Sequence, residues 1–258
     1  MRTALVRRTV LTASAVSLAL LSTACGADKA DTKPDAKPSA GAASSSAAAP
    51  AGKAKTDAEL AGVIVVQADL PEHVVKAATP AEAAAAAGAT SDKAECLPLV
   101  KAQSMAAIGT AAGTARTKAV AKPAQPAENA SPEEKAKAAM GALGATATAV
   151  TLASYEGKGA EEAFTAIKTA GTACAGGYTG SQSGDSLKIT KVAPGASVTA
   201  GDGALAYTVV GDADGEPLTM ELVVVRKGNT LATFSAVSLT GTAEQPKAVV
   251  DAQVKKLG

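Results

Sequence analysis

Four runs rich in β-branched and apolar residues crowd the C-terminal part of the chain, at 187–192, 204–210, 218–226 and Thr230–Val237. The last three are separated by Gly211-Asp212-Ala213-Asp214-Gly215 and by Lys227-Gly228-Asn229. Short connections containing glycine imply antiparallel hairpins. That sets the class: an antiparallel sheet, with the helices of the rest of the chain packed against it.

Upstream the pattern changes. At 159–174, Ala160, Ala163, Phe164, Ile167, Ala170 and Cys174 recur at three- and four-residue steps, which predicts a helix with Cys174 facing the core. Ser131-Pro132-Glu133-Glu134 is a helix start, with a hydroxyl cap, proline at the first position and glutamate at the third. Gly141 or Gly144 ends it. Strands are expected at 113–122 and 145–155. A helix is expected from Cys96, since Pro98 is tolerated only in a first turn. Residues 60–65 read as a short helix in preference to a strand, His73 to Lys76 as extended, and the alanine run 79–90 as a loop or weak helix. Residues 245–257 close the chain as an amphipathic helix.

The N-terminus has a different logic. Arg2, Arg7 and Arg8 precede a short apolar stretch, 10–21, and then Leu21-Ser22-Thr23-Ala24-Cys25-Gly26. A spanning helix needs about 20 apolar residues, so the stretch reads as a cleaved export signal, 1–24. The small residues before Cys25 resemble the lipobox of bacterial lipoproteins, with Ser22 where leucine is commonest. The resemblance implies a diacylglyceryl group on Cys25 and attachment at the extracytoplasmic face of the cell membrane; two acyl chains hold where one is marginal. Arg7-Arg8 faintly resembles a twin-arginine signal but lacks its flanking residues, which leaves the export route open. Residues 26–58 contain no Val, Leu, Ile, Met or aromatic residue. Such a segment cannot offset its ordering entropy. Residues 25–58 are therefore expected to form a disordered linker, with a reach of ~30 Å, and 59–258 a single domain.

Loss of Arg2, Arg7 and Arg8 takes the formal charge from +1 to −2 and leaves Arg116 and Arg226 as the arginines; there is no Trp. A nucleic-acid binder would show a basic stripe and aromatic platforms, so that class is set aside. Of three cysteines, assigning Cys25 to lipid leaves Cys96 and Cys174 as an even pair, expected as a disulfide in an oxidising compartment. Two buried thiols or a metal site are the alternatives, but two cysteines and one distant histidine do not make a metal set.

Other motifs are weaker. Gly184-Asp185-Ser186-Leu187 spells a serine-esterase signature, but the only histidine, His73, lies upstream, and a serine without a positioned base is a poor nucleophile. A turn entering a strand is the plainer reading. Asp212-Ala213-Asp214-Gly215-Glu216 opens like a calcium loop, yet position twelve is Val223, not glutamate. Asn129-Ala130-Ser131 is a chance-level sequon, and Arg226 ends a strand where a solvated cation is the default. No cofactor motif and no catalytic constellation is present, so no enzyme is expected.

Asp69-Leu70-Pro71, Cys96-Leu97-Pro98-Leu99, Ser154-Tyr155, Ala173-Cys174, Gly201-Asp202, Val225-Arg226-Lys227-Gly228-Asn229 and Gln253-Val254-Lys255-Lys256-Leu257 together resemble the PknH-like extracellular sensor domain of actinobacteria. That family occurs at the end of membrane kinases and in free lipoproteins, and often has two disulfides where this chain can form one. The resemblance implies an α+β fold, helices on a twisted antiparallel sheet, with a cleft for an extracellular ligand. About five to six strands are expected. The function expected is a tethered, non-enzymatic ligand-binding or sensor-like domain, its ligand a small molecule, lipid or envelope component. Two alternatives are a lipid carrier with an acyl-chain cavity and an esterase acting through Ser186.

Overall fold

The computed structural model describes residues 52–123, 125–238 and 242–258. The expected signal peptide, Cys25 and most of the expected linker lie outside the described residues. One antiparallel sheet organises the rest. Its strands are β1 (His73–Ala77), β2 (Thr90–Ser91), β3 (Gly113–Ala121), β4 (Ala147–Ser154), β5 (Tyr178–Gln182), β6 (Asp185–Pro194), β7 (Gly203–Ala213), β8 (Glu216–Lys227) and β9 (Thr230–Val237). They lie in the order β1-β3-β4-β9-β8-β7-β6-β5-β2. The helices are α1 (Asp57–Val63), α2 (Pro80–Ala87), α3 (Leu97–Gln103), α4 (Pro132–Leu143), α5 (Gly159–Ala173) and α6 (Lys247–Leu257). Among the described residues no helix is long and apolar enough to cross a membrane.

The fold is α+β, but an expectation of five to six strands is too low for a sheet of nine. β2 has only two residues, and β5 (Tyr-Thr-Gly-Ser-Gln) has one large apolar side chain and a glycine. Neither has a hydrophobic alternation to read. Each is held extended by its neighbours: β5 pairs with β6, and β2 with β5. Strand propensity is largely this kind of context.

Helices cover both faces. Leu222 and Val224 of β8, Leu231 of β9 and Val209 of β7 face α3 and α5. Val223 and Val225, Ala232, Phe234, Val150 and Leu152 face α1 and α6. β8 is therefore buried on both sides, and Leu222 to Val225 have no exposed surface. This is why its Leu-Val-Val-Val run is continuous rather than alternating. Cys96 and Cys174 are bridged, with Cα atoms 5.8 Å apart. The bridge ties the turn before α3 to the end of α5.

Three helices begin with a capping box: Thr56 with Glu59, Thr79 with Glu82, and Ser131 with Glu134. In each the glutamate reaches back to the cap N–H at 2.7 Å. Thr79-Pro80-Ala81-Glu82 thus converts the first part of 79–90 into α2, where a loop or weak helix was expected.

Packed chain also begins upstream of the expected boundary at residue 59. Ala54 is buried, the Lys55 N–H donates to Ser154 Oγ at 2.9 Å, and Asn229 Nδ2 donates to the Gly52 carbonyl at 2.7 Å. These are backbone contacts, so a segment without large apolar side chains is held without a hydrophobic signal. On the far side, fully buried Gln253 of α6 accepts from Val65 N–H at 2.9 Å and donates to the Val63 carbonyl at 2.8 Å. The last carbonyl of α1 and the N–H two residues beyond it are thereby satisfied.

Candidate functional site

The helices α3 and α5 leave part of their face of the sheet uncovered. Antiparallel register sets two side-chain rows across that area. In the first, Val74 lies opposite Val120, Val120 opposite Ala147, and Ala147 opposite Val237. In the second, Lys76 lies opposite Lys118, Lys118 opposite Ala149, and Ala149 opposite Ser235. The rows floor a groove of about 620 Å³, walled by Gln103 at the end of α3 and by Pro123, Ala142 and Ala145 around α4. One edge is apolar; the other carries two ammonium groups, a hydroxyl and an amide. Its volume lies within the range of ligand sites, ~300–1,000 Å³.

Gln103 also lines a second cavity of about 410 Å³ between α3 and the β5–β6 hairpin. Its Oε1 accepts from the Tyr178 hydroxyl at 2.8 Å, while Nε2 is buried and has no hydrogen-bond partner among the described residues. Rotating the amide by half a turn only exchanges which atom is orphaned, because Tyr178 can serve one of them. An unmet buried donor costs roughly 1–3 kcal/mol and calls for an explanation. Burial raises the Tyr178 phenol, only partly offset by Gln103, so it stays a protonated donor.

A larger groove of about 820 Å³ runs beside the start of α5. It is lined by Lys101 and Lys158 and by Glu156 and Glu162, whose charges offset. Tyr155 lies beneath it. Burial pushes that phenol up to about 12, and the Ile108 N–H close by opposes the shift without completing a hydrogen bond. Of these two grooves, the one over the valine and lysine rows has charged lining residues of a single sign, Lys76 and Lys118.

The residues singled out in the sequence are scattered. Ser186 sits just after the Ser183-Gly184 turn of the β5–β6 hairpin, where both turn residues have positive φ (55° and 91°). Its hydroxyl lies 2.7 Å from that of Ser181, directly opposite. His73 is on β1, at one edge of the sheet, with four strands between it and β7, the inner neighbour of β6. Burial lowers its pKa, and its Nδ1 is buried without a partner. The structure therefore does not bring Ser186 and His73 together.

Asp212 closes its hairpin by accepting from Gly215 N–H at 2.7 Å. Arg226 approaches Asp202 at 3.9 Å, and the same carboxylate accepts from Gly228 N–H at 2.6 Å. Both are turn fastenings. Among the described residues no group of three His, Cys, Asp or Glu side chains converges as a metal set would. Neither Gln103 nor the lysine row stands out in the sequence; the register across four strands assembles the row, and the end of α3 brings Gln103 beside it.

No family model matches this chain, and no curated protein matches it. Among solved structures it is similar to the extracellular domain of PknH from Mycobacterium tuberculosis, with a TM-score of 0.43 and 10% identity, covering 80% of this chain and 97% of that one.

Proposed function

We propose that this chain is a lipid-anchored, extracytoplasmic, non-enzymatic ligand-binding domain of sensor-like character, with its ligand seat in the groove beside Gln103. The anchoring rests on the charged, apolar and small-residue order that ends at Cys25. The ligand seat rests on one observation: a buried amide donor without a partner at the wall shared by two cavities. A ligand that accepts from Nε2 offsets the cost of that donor.

A thermal-shift screen on the wild-type chain and on Gln103→Met tests the seat. Ligands should raise the melting temperature of the wild type more than that of the variant. Equal shifts in both would place the ligand elsewhere. For the anchor, Cys25→Ala should release the protein from the membrane fraction and abolish incorporation of an alkyne-labelled fatty acid. Retention with undiminished labelling would contradict it. The apolar floor favours one second reading, an acyl-chain carrier. Native mass spectrometry after gentle extraction would then show bound lipid, and a bare protein mass would oppose it.

A further inference from the structure

We infer that the groove binds a single-chain anionic amphiphile, its apolar tail along Val74, Val120, Ala147 and Val237 and its carboxylate or phosphate head at the Lys76 ammonium. The inference rests on reading the groove as a ligand seat and adds the class of ligand.

The charge pattern points to an anion. The charged residues lining the groove are Lys76 and Lys118, with no acid among them. The two lysines lie directly opposite each other on neighbouring strands, an arrangement that repels. Glu82 neutralises Lys118; its carboxyl is held down to about 2 by that ammonium and by the Thr79 cap. Lys76 is exposed and has no ion pair among the described residues. One of two opposed cations thus has a counter-charge within the fold, and the other is left for a ligand.

The apolar pattern points to a chain. Val66, Val74, Val120 and Met140 are the exposed large hydrophobics among the described residues. Val74 and Val120 pair in the groove floor, and Met140 is on α4, whose Ala142 forms the wall. No residue of α4 whose side chain is described is buried. Apolar exposure gathered at one place marks a binding surface more than scattered exposure does. An alkyl tail on the valine row leaves its head beside the lysine row, one strand step of two residues away.

Isothermal titration of sodium hexadecanoate and of hexadecyl phosphate into the full chain carrying Cys25→Ser is the test, with hexadecanol and hexadecyltrimethylammonium as neutral and cationic controls. Both anions should bind more tightly than the controls, and a preference between them identifies the head. Lys76→Gln should weaken the anions about fivefold and leave hexadecanol unchanged. Val120→Asp should abolish binding of all four. Val74→Ser, at the sheet edge, is a milder variant expected to weaken them about threefold should Val120→Asp fail to fold. Anion binding that neither Lys76→Gln nor the valine variants alter, or equal binding of the cation, overturns the assignment. Absence of binding by both anions overturns it too. A Gln103-dependent thermal shift with some other compound would then keep the ligand seat while removing the amphiphile.

Discussion

Gln103 and Tyr178 satisfy each other only in part, and their coupling is measurable. Tyr178→Phe removes the one partner that the Gln103 amide has among the described residues and should cost about 1–2 kcal/mol by urea denaturation. Adding Gln103→Met should recover most of that loss, because the pair then has no polar atom to satisfy. Additive losses in the double variant would show that the two do not act as a unit. Asp69 gives a second residue-scale expectation. The Lys256 ammonium at 2.7 Å, and then the Val66 N–H, hold its carboxyl below the usual value. A carboxyl depressed by folding stabilises the native state above its unfolded pKa, and that contribution is lost as pH falls through the folded value. Below about pH 4, the melting temperature of Asp69→Asn should therefore fall less steeply than that of the wild type.

At the scale of elements, α5 lies close against the sheet because of one glycine. A Cβ on Gly171 would run into the ring of Tyr207 on β7, which is itself buried. Gly171→Ala should cost about 1–3 kcal/mol despite the better helix propensity of alanine. A gain in stability would mean that the ring moves aside freely. The helical spacing from Ala160 to Cys174 marked both the helix and its inward face, because a long amphipathic period survives in sequence. The two turns that join β7 to β8 and β8 to β9 were legible for a similar reason, since their geometry selects glycine. β2 and β5 were not, because their extension is imposed by partners. The groove was hidden for the same cause. Val74, Lys76, Val120 and Ser235 are unremarkable in their own segments and become a site only when register sets them side by side. The Thr79 capping box, by contrast, was legible and was masked by the alanine run behind it.

Across the whole molecule the Cys96–Cys174 bridge closes a sequence separation of 78 residues. By the chain-entropy argument it stabilises by about 4 kcal/mol. The Cys96→Ala, Cys174→Ala double variant should melt about 10 °C below the oxidised wild type. An unchanged midpoint would mean that the reduced chain is already as constrained. The strand order has a different consequence. β4 and β9 are neighbours inside the sheet, yet α5 and β5 through β8 all intervene between them in sequence. β1 and β3 join the sheet through β4, so the N-terminal third has no seam to close on until β9 exists. A chain emerging N-terminus first can form the β5–β8 hairpins and pair β1, β3 and β4 early, but one edge of β4 must stay open until its last strand arrives. The two halves of the sheet are then joined by a pairing that is distant in sequence, the kind of contact that slows folding and leaves a strand edge exposed meanwhile.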